Sequence, residues 1–192
     1  MTNYLNFTYT NIYGIADNRE EYRGWAGKNQ QAGSQLPDVF QPFLEMESAQ
    51  ISVWDGDFAA AIAQYDTMLA ANPDNLLANN NIAALLSDHR TDEASLNRAK
   101  EIADKLKAVE QPVIQDTVGW VYYKTGNFAD AVAMLEQVVA AQPNVQVFNY
   151  HLGMAHMKAG NKTEARKYLE ASLASDQDFP GRADAEAALK SL

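Results

Sequence analysis

The chain has 192 residues, is 47% hydrophobic and carries a formal charge of −10 with no cysteine, and its pI is near 4.7. Such an acidic balance speaks against nucleic acid or an anionic membrane surface as a partner, because lysine and arginine would have to dominate some face to neutralise phosphates. The lack of cysteine excludes disulfides, thiolate metal sites and a cysteine nucleophile. No run approaches the roughly 18 consecutive apolar residues of a membrane helix, so direct membrane insertion is not expected. The stretch from Met1 to Gln30 lacks the basic start, apolar middle and small-residue cleavage site of a secretory signal. The sequence as it stands is expected to be cytoplasmic, or periplasmic or extracellular if it is a processed or recloned form.

Residues 1–36 form an aromatic-rich arm. Leu5, Phe7, Tyr9 and Tyr13 fall on alternate positions with Asn6, Thr8 and Thr10 between them, a period of two that predicts a short strand. Asp17 to Glu20 resembles a capping box, and Tyr22, Trp25 and Ala26 make the apolar stripe of a short helix before the break from Gly33 to Pro37. Disordered segments are poor in aromatics, so the arm is expected to be a contact element, lying in a groove of its own chain or of a neighbour, or adding a strand to a partner's sheet.

From residue 37 onward the pattern is helical. Gly56, Phe58, Ala61, Tyr65 and Pro73 mark a first helical hairpin over 37–75, and 76–111 reads as a degenerate second one. In that second unit Asn81 to Leu86 supplies the first helix, Ala99, Ala103 and Leu106 supply the contact face of the second, and His89 to Leu96 is expected to be a longer turn than elsewhere. The third and fourth units, 112–144 and 145–177, repeat one another at a constant offset: Val118-Gly119, Gly126, Ala131 and Leu135 recur as Leu152-Gly153, Gly160, Ala165 and Leu169. Gly119 and Ala131 sit where two helices approach most closely, and Gly126 supplies the tight turn between them. Pro143 follows the second helix of the third unit as Pro73 follows that of the first, which carries the register backwards. Residues 181–192 read as the solvating cap helix that an array of stacked hairpins needs at an open end.

The segments Asp116 to Ala131 and Tyr150 to Ala165 fit the L-G-x-x-Y…G…A…P pattern, and on them the chain resembles the tetratricopeptide-repeat family. Within the family, Asn81 to Leu86, Asp116 to Trp120 and Tyr150 to Gly153 are similar to the C-terminal repeats of bacterial proteins associated with exopolysaccharide and exosortase export. The resemblance implies an all-α, right-handed superhelical solenoid of about four helix-turn-helix units, with a C-terminal cap helix and a non-repeat N-terminal arm. It also implies that the first helix of each hairpin lines a concave groove with its second, fifth, ninth, twelfth and thirteenth positions. Those positions hold Phe43, Met46 and Trp54 in the first unit, and Asn80 in the second with Asp88 at its end. In the third they hold Asp116, Trp120, Tyr123 and Lys124, and in the fourth Tyr150, Met154, Met157 and Lys158. A set so rich in aromatics and methionine suits a peptide or helix with apolar anchors. Lys124 and Lys158, one period apart, are placed to meet an acidic group or simply to complement helix C-termini. The aromatics leave little room for the Lys/Arg and Asn set that grips a chaperone tail.

Three histidines invite a search for a metal or a general base. His151 and His156 are turned about 140° apart on a helix, so they cannot share an ion unaided. His156 occupies the place of a buried tyrosine in the repeat, and His89 is expected in a solvated loop. Glu101 with Lys105 has the spacing of an i,i+4 ion pair on a solvated face. No Gly-x-Ser-x-Gly turn, phosphate-binding loop or His-Glu-x-x-His is present in the sequence. An enzyme site would have to assemble from Asp116, Tyr123, Tyr150, His151 and Lys124. The sequence therefore predicts a non-enzymatic scaffold or adaptor with no cofactor and no metal, binding a protein segment in its groove. The alternative is a structural subunit that forms homo- or hetero-oligomers or filaments through arm contacts at Leu5, Phe7, Tyr9, Tyr13, Tyr22 and Trp25.

Overall fold

The computed structural model describes Gly24, Gly27, Lys28 and residues 41–192. Gly24, Gly27 and Lys28 are helical, while the strand expected through Leu5, Phe7, Tyr9 and Tyr13 and the contacts expected of Tyr22 and Trp25 lie outside the described residues.

Residues 41–192 fold into nine α-helices: α1 Gln41–Trp54, α2 Phe58–Ala71, α3 Leu76–His89, α4 Glu93–Leu106, α5 Pro112–Lys124, α6 Phe128–Ala141, α7 Gln146–Lys158, α8 Lys162–Ser172 and α9 Arg182–Ser191. There is no strand among the described residues. The architecture is all-α and made of stacked helical hairpins, and the chain divides into two compact units, residues 1–82 and 83–192.

Local chemistry starts and stops these helices. Asp57 caps α2 by accepting from the Ala60 amide at 3.0 Å, and Asp92 caps α4 by accepting from the Ser95 amide at 2.9 Å. The second cap corrects an expectation: the turn predicted to run from His89 to Leu96 is only Arg90 to Asp92, because the Asp92 carboxylate satisfies the first amides of a helix that begins at Glu93. Pro112 opens α5, where its missing N–H has no bond to make. The turns α5–α6 and α7–α8 each pass through a left-handed glycine, Gly126 at φ 81° and Gly160 at φ 85°. The proline turns are braced by one device used twice. Asn79 Nδ2 donates to the carbonyls of Pro73 and Asn75 at 2.8 and 3.0 Å, and Asn149 Nδ2 to those of Pro143 and Val145 at the same distances.

In the first unit, Ala49 and Ala61 are fully buried where α1 meets α2, with Ile62, Tyr65 and Met68 around them. The Tyr65 hydroxyl accepts from Asn81 Nδ2 at 3.0 Å. Burial pushes it up to about 12, with the Asn81 bond opposing. In the second unit the core runs from Leu85 and Leu86 through Ala99, Ile102, Ile114, Val118, Leu135, Val138, Phe148 and Leu152 to Leu169. Each large apolar side chain so enclosed contributes about 1.5–3 kcal/mol relative to exposure. Gly119 and Gly153 make this packing possible. A Cβ on Gly119 would stand 2.6 Å from Leu135 Cγ, and one on Gly153 would stand 2.8 Å from Leu169 Cγ. On the outer face of α4 the ion pair is Lys100 Nζ with Asp104 at 2.9 Å, not the expected Glu101 with Lys105. The Tyr122 hydroxyl donates to the other Asp104 oxygen at 2.8 Å. The bonds from Lys100 and Tyr122 together hold the Asp104 carboxyl below the ordinary carboxylate value.

Candidate functional site

The first helices α5 and α7 of the second unit lie side by side, and their facing side chains build a ring cluster. Trp120 is its centre. Its indole N–H donates to Asp88 Oδ1 at 2.7 Å, at the end of α3. Its ring lies nearly parallel to Tyr123, with centroids 4.5 Å apart at 14°, and to His151, 4.0 Å apart at 19°. Lys124 Nζ stands 5.3 Å from the indole centroid and 3.5 Å from Asp88 Oδ1, so the cation is held between a π-face and a carboxylate.

Beneath Trp120 lies a buried polar pair. His151 Nδ1 is 2.9 and 3.0 Å from the two oxygens of Asp116, and both residues are at least nine-tenths buried. Burial pushes the Asp116 carboxyl above the ordinary carboxylate value, and the facing His151 pulls it back. Placed against an acceptor-only carboxylate, Nδ1 carries the proton and Nε2 is left as the free ring nitrogen. Such a pair is the orienting half of a nucleophilic constellation. Among the described residues, however, no hydroxyl hydrogen-bonds Nε2, and no group of three or more potential ligands could hold a metal ion.

Tyr150 closes the other side. Its ring is 5.6 Å from Trp120 and 5.3 Å from His151, and Phe179 covers it at 6.0 Å. Gly181 lies so close that a Cβ there would fall onto the Tyr150 ring. The loop is shaped by Arg182, whose Nη1 donates to the carbonyls of Ser175 and Gln177 at 2.8 and 3.1 Å. Burial, and then the nearby Asp184 carboxylate, raise the Tyr150 hydroxyl above the usual phenol value.

The structure thus brings together Asp116, Trp120, Tyr123, Lys124 and Tyr150 from the sequence-predicted groove set, but distributes their roles unevenly. Asp116, Trp120 and Tyr150 are buried and committed to neighbours, so they are not open to a ligand side chain as expected of groove positions. Tyr123, Lys124, Met154 and Met157 are half-buried on the same face, and Lys158 is exposed beside them. In the first unit Phe43, Met46 and Trp54 are half-buried and Asn80 is buried, with its Nδ2 3.3 Å from Asn81 Oδ1. His156 is buried in the place expected of a tyrosine, stacked on Tyr168 at 5.5 Å and 5°, and His89 is an exposed residue ending α3. Missed from sequence were the Asp116–His151 pair, the bond from Trp120 to Asp88, and the cover that Phe179 lays over Tyr150. A carboxylate at position 116, flanked by Val113, Ile114 and Val118, was the available signal for the first.

Residues 119–183 match the family model of the tetratricopeptide repeat. That stretch is similar to tetratricopeptide repeats. A tetratricopeptide-repeat-containing protein of Pseudomonas aeruginosa is 27% identical over 139 residues, which is 72% of this chain but only 23% of that protein. Among solved structures, the thermophilic tetratricopeptide-repeat protein TTC0263 of Thermus thermophilus superposes with a TM-score of 0.67 at 19% identity, covering 88% of this chain and 91% of that one. MamA from Desulfovibrio magneticus, residue 41 to its end, gives 0.61 at 16% identity over 85% of this chain and all (100%) of that one. Likeness at that level of identity is a likeness of fold. Tetratricopeptide repeats generally mediate protein–protein contacts and scaffold complexes. No described helix of this chain is long and apolar enough to cross a membrane.

Proposed function

We propose that the face formed by α5 and α7 binds an extended or helical segment of a protein partner, and that the chain acts as a non-enzymatic scaffold. The observation that carries this reading is a division of labour on one surface. Trp120, His151, Tyr150 and Asp116 are buried as a rigid floor, while Tyr123, Met154 and Met157 stand half-exposed on it with Lys124 and Lys158 alongside. Half-exposed aromatic and thioether groups over a locked floor offer contact area with little ordering cost on binding. The narrower likeness to exopolysaccharide- and exosortase-associated repeats rests on three short segments and would place the partner in an export assembly.

The test is selection from a displayed peptide library, followed by affinity measurement with the purified full chain. Peptides selected on the wild-type chain are expected to lose at least about tenfold in affinity for a Tyr123→Ala, Met154→Ala, Met157→Ala variant, which corresponds to about 1.4 kcal/mol. Selected peptides that bind both chains equally would overturn the assignment of this face.

A further inference from the structure

The second unit twice sets a carboxylate beside an aromatic side chain that carries a donor. In the first case the chain adds a cation of its own. The Trp120 indole N–H donates to Asp88 at 2.7 Å, and Lys124 Nζ stands 3.5 Å from the same oxygen and 5.3 Å from the indole centroid. The second case is Asp184 with Tyr150. Gly181 packs against the Tyr150 ring, and Asp184, three residues further on, lies on the same side of α9. Asp184 acts on Tyr150 by its charge and as a hydrogen-bond partner of the hydroxyl. Burial, and then this same carboxylate, raise the Tyr123 hydroxyl above the usual phenol value. Asp116, Tyr150 and Asp184 also follow one another at the interval that separates Gly119 from Gly153, so Asp184 continues the inner face of α5 and α7 onto α9.

Asp184 is exposed and Tyr123 half-exposed, and among the described residues no lysine or arginine forms an ion pair with Asp184. Arg182 is turned to the carbonyls of Ser175 and Gln177 and to Glu186. Lys158 lies at the far end of α7, about 12 Å along the helix from Tyr150, beyond the screening length of about 10 Å in 0.1 M salt.

From this geometry we infer that the segment bound on the α5–α7 face carries a basic side chain, and that Asp184, with the half-exposed ring of Tyr123 beside it, receives that side chain. A carboxylate next to an aromatic face offers a cation an ion pair and a π-contact at once, as Asp88 and Trp120 do for Lys124. Arginine suits the place best, because its planar guanidinium stacks on a tyrosine while bonding a carboxylate oxygen. The formal charge of −10 draws a basic segment towards the chain. The inference rests on the binding role proposed for this face and narrows the chemistry of its partner.

The experiment uses peptides selected from a displayed library on the full chain, keeping those that lose affinity for the Tyr123→Ala, Met154→Ala, Met157→Ala variant. These are expected to be enriched in arginine and lysine over the unselected library. Asp184→Asn, which keeps an oxygen for Tyr150, should weaken them by about fivefold, and the loss should shrink as salt is raised. Asp184→Lys should weaken them further, and changing the peptide's basic residue to glutamate should recover binding to that variant alone. Face-binding peptides without basic enrichment, or with equal affinity for the parent and Asp184→Asn, would overturn the inference and leave the binding face standing. Peptides indifferent to the triple variant would overturn both.

Discussion

The third and fourth hairpins stand one repeat apart and share the contact that defines them, yet they fill the space around it differently. In both, a glycine on the first helix receives a leucine from the second, Gly119 with Leu135 and Gly153 with Leu169. One residue position tells the difference. In the third hairpin Tyr122 reaches back with its hydroxyl to Asp104 at 2.8 Å. In the fourth, His156 stands there instead, stacked on Tyr168 with Nε2 3.7 Å from Glu136. The inner face diverges as well, since Asp116, Trp120 and Tyr123 are succeeded one period on by Tyr150, Met154 and Met157. Repetition fixes where two backbones may approach; it leaves open how each polar group is satisfied.

Truncating the shared contact should have the largest effect. Leu135→Ala and Leu169→Ala are each expected to cost about 2–5 kcal/mol in urea unfolding, because each empties a site without solvent access that the facing glycine keeps open. Similar costs would sustain the equivalence of the two hairpins, and a difference beyond about 2 kcal/mol would break it.

The divergent position should give smaller effects. Tyr122→Phe removes one hydrogen bond while leaving the Lys100–Asp104 pair, and about 1 kcal/mol is expected by the same method. The smallest effect belongs to His156. Burial depresses its proton affinity below the ordinary value of 6.5, with Glu136 and Glu164 opposing. The unfolded chain then binds the proton more readily than the folded one, so the contribution of this residue is full above that pH and is lost as pH falls through the lower folded value. His156→Tyr, which restores the tyrosine of the third hairpin, should reduce the drop in melting temperature between pH 7 and pH 5. An unchanged drop would show that His156 binds its proton equally well in the folded and the unfolded chain.

Much of the fold was legible because its signals are local. Gly126 and Gly160 announce turns by a backbone conformation other residues avoid, and Gly119 and Gly153 announce close approach by having no Cβ. The second hairpin was harder: its repeat lacks both glycines, and the Asp92 cap that shortens its turn depends on one side chain meeting one amide. The candidate site was legible as a neighbourhood and not as a mechanism. Helical position put Trp120, Tyr123 and Lys124 on one face, but position cannot say which of them is covered. Phe179 and Gly181 lie far beyond Tyr150 in the sequence and close over it through a loop without repeat character.

The sequence by itself determined the all-α architecture of stacked hairpins, since a recurring pattern of small and large apolar residues at this period can bury its faces only against copies of itself. Only the tertiary structure decided that Asp116 faces His151, that Trp120 donates to Asp88, and that the chain's own C-terminal segment shields Tyr150. Those pairings join residues on different hairpins, where no local rule acts. They form because a buried polar atom must find its partner among whatever groups the packed helices bring within about 3 Å.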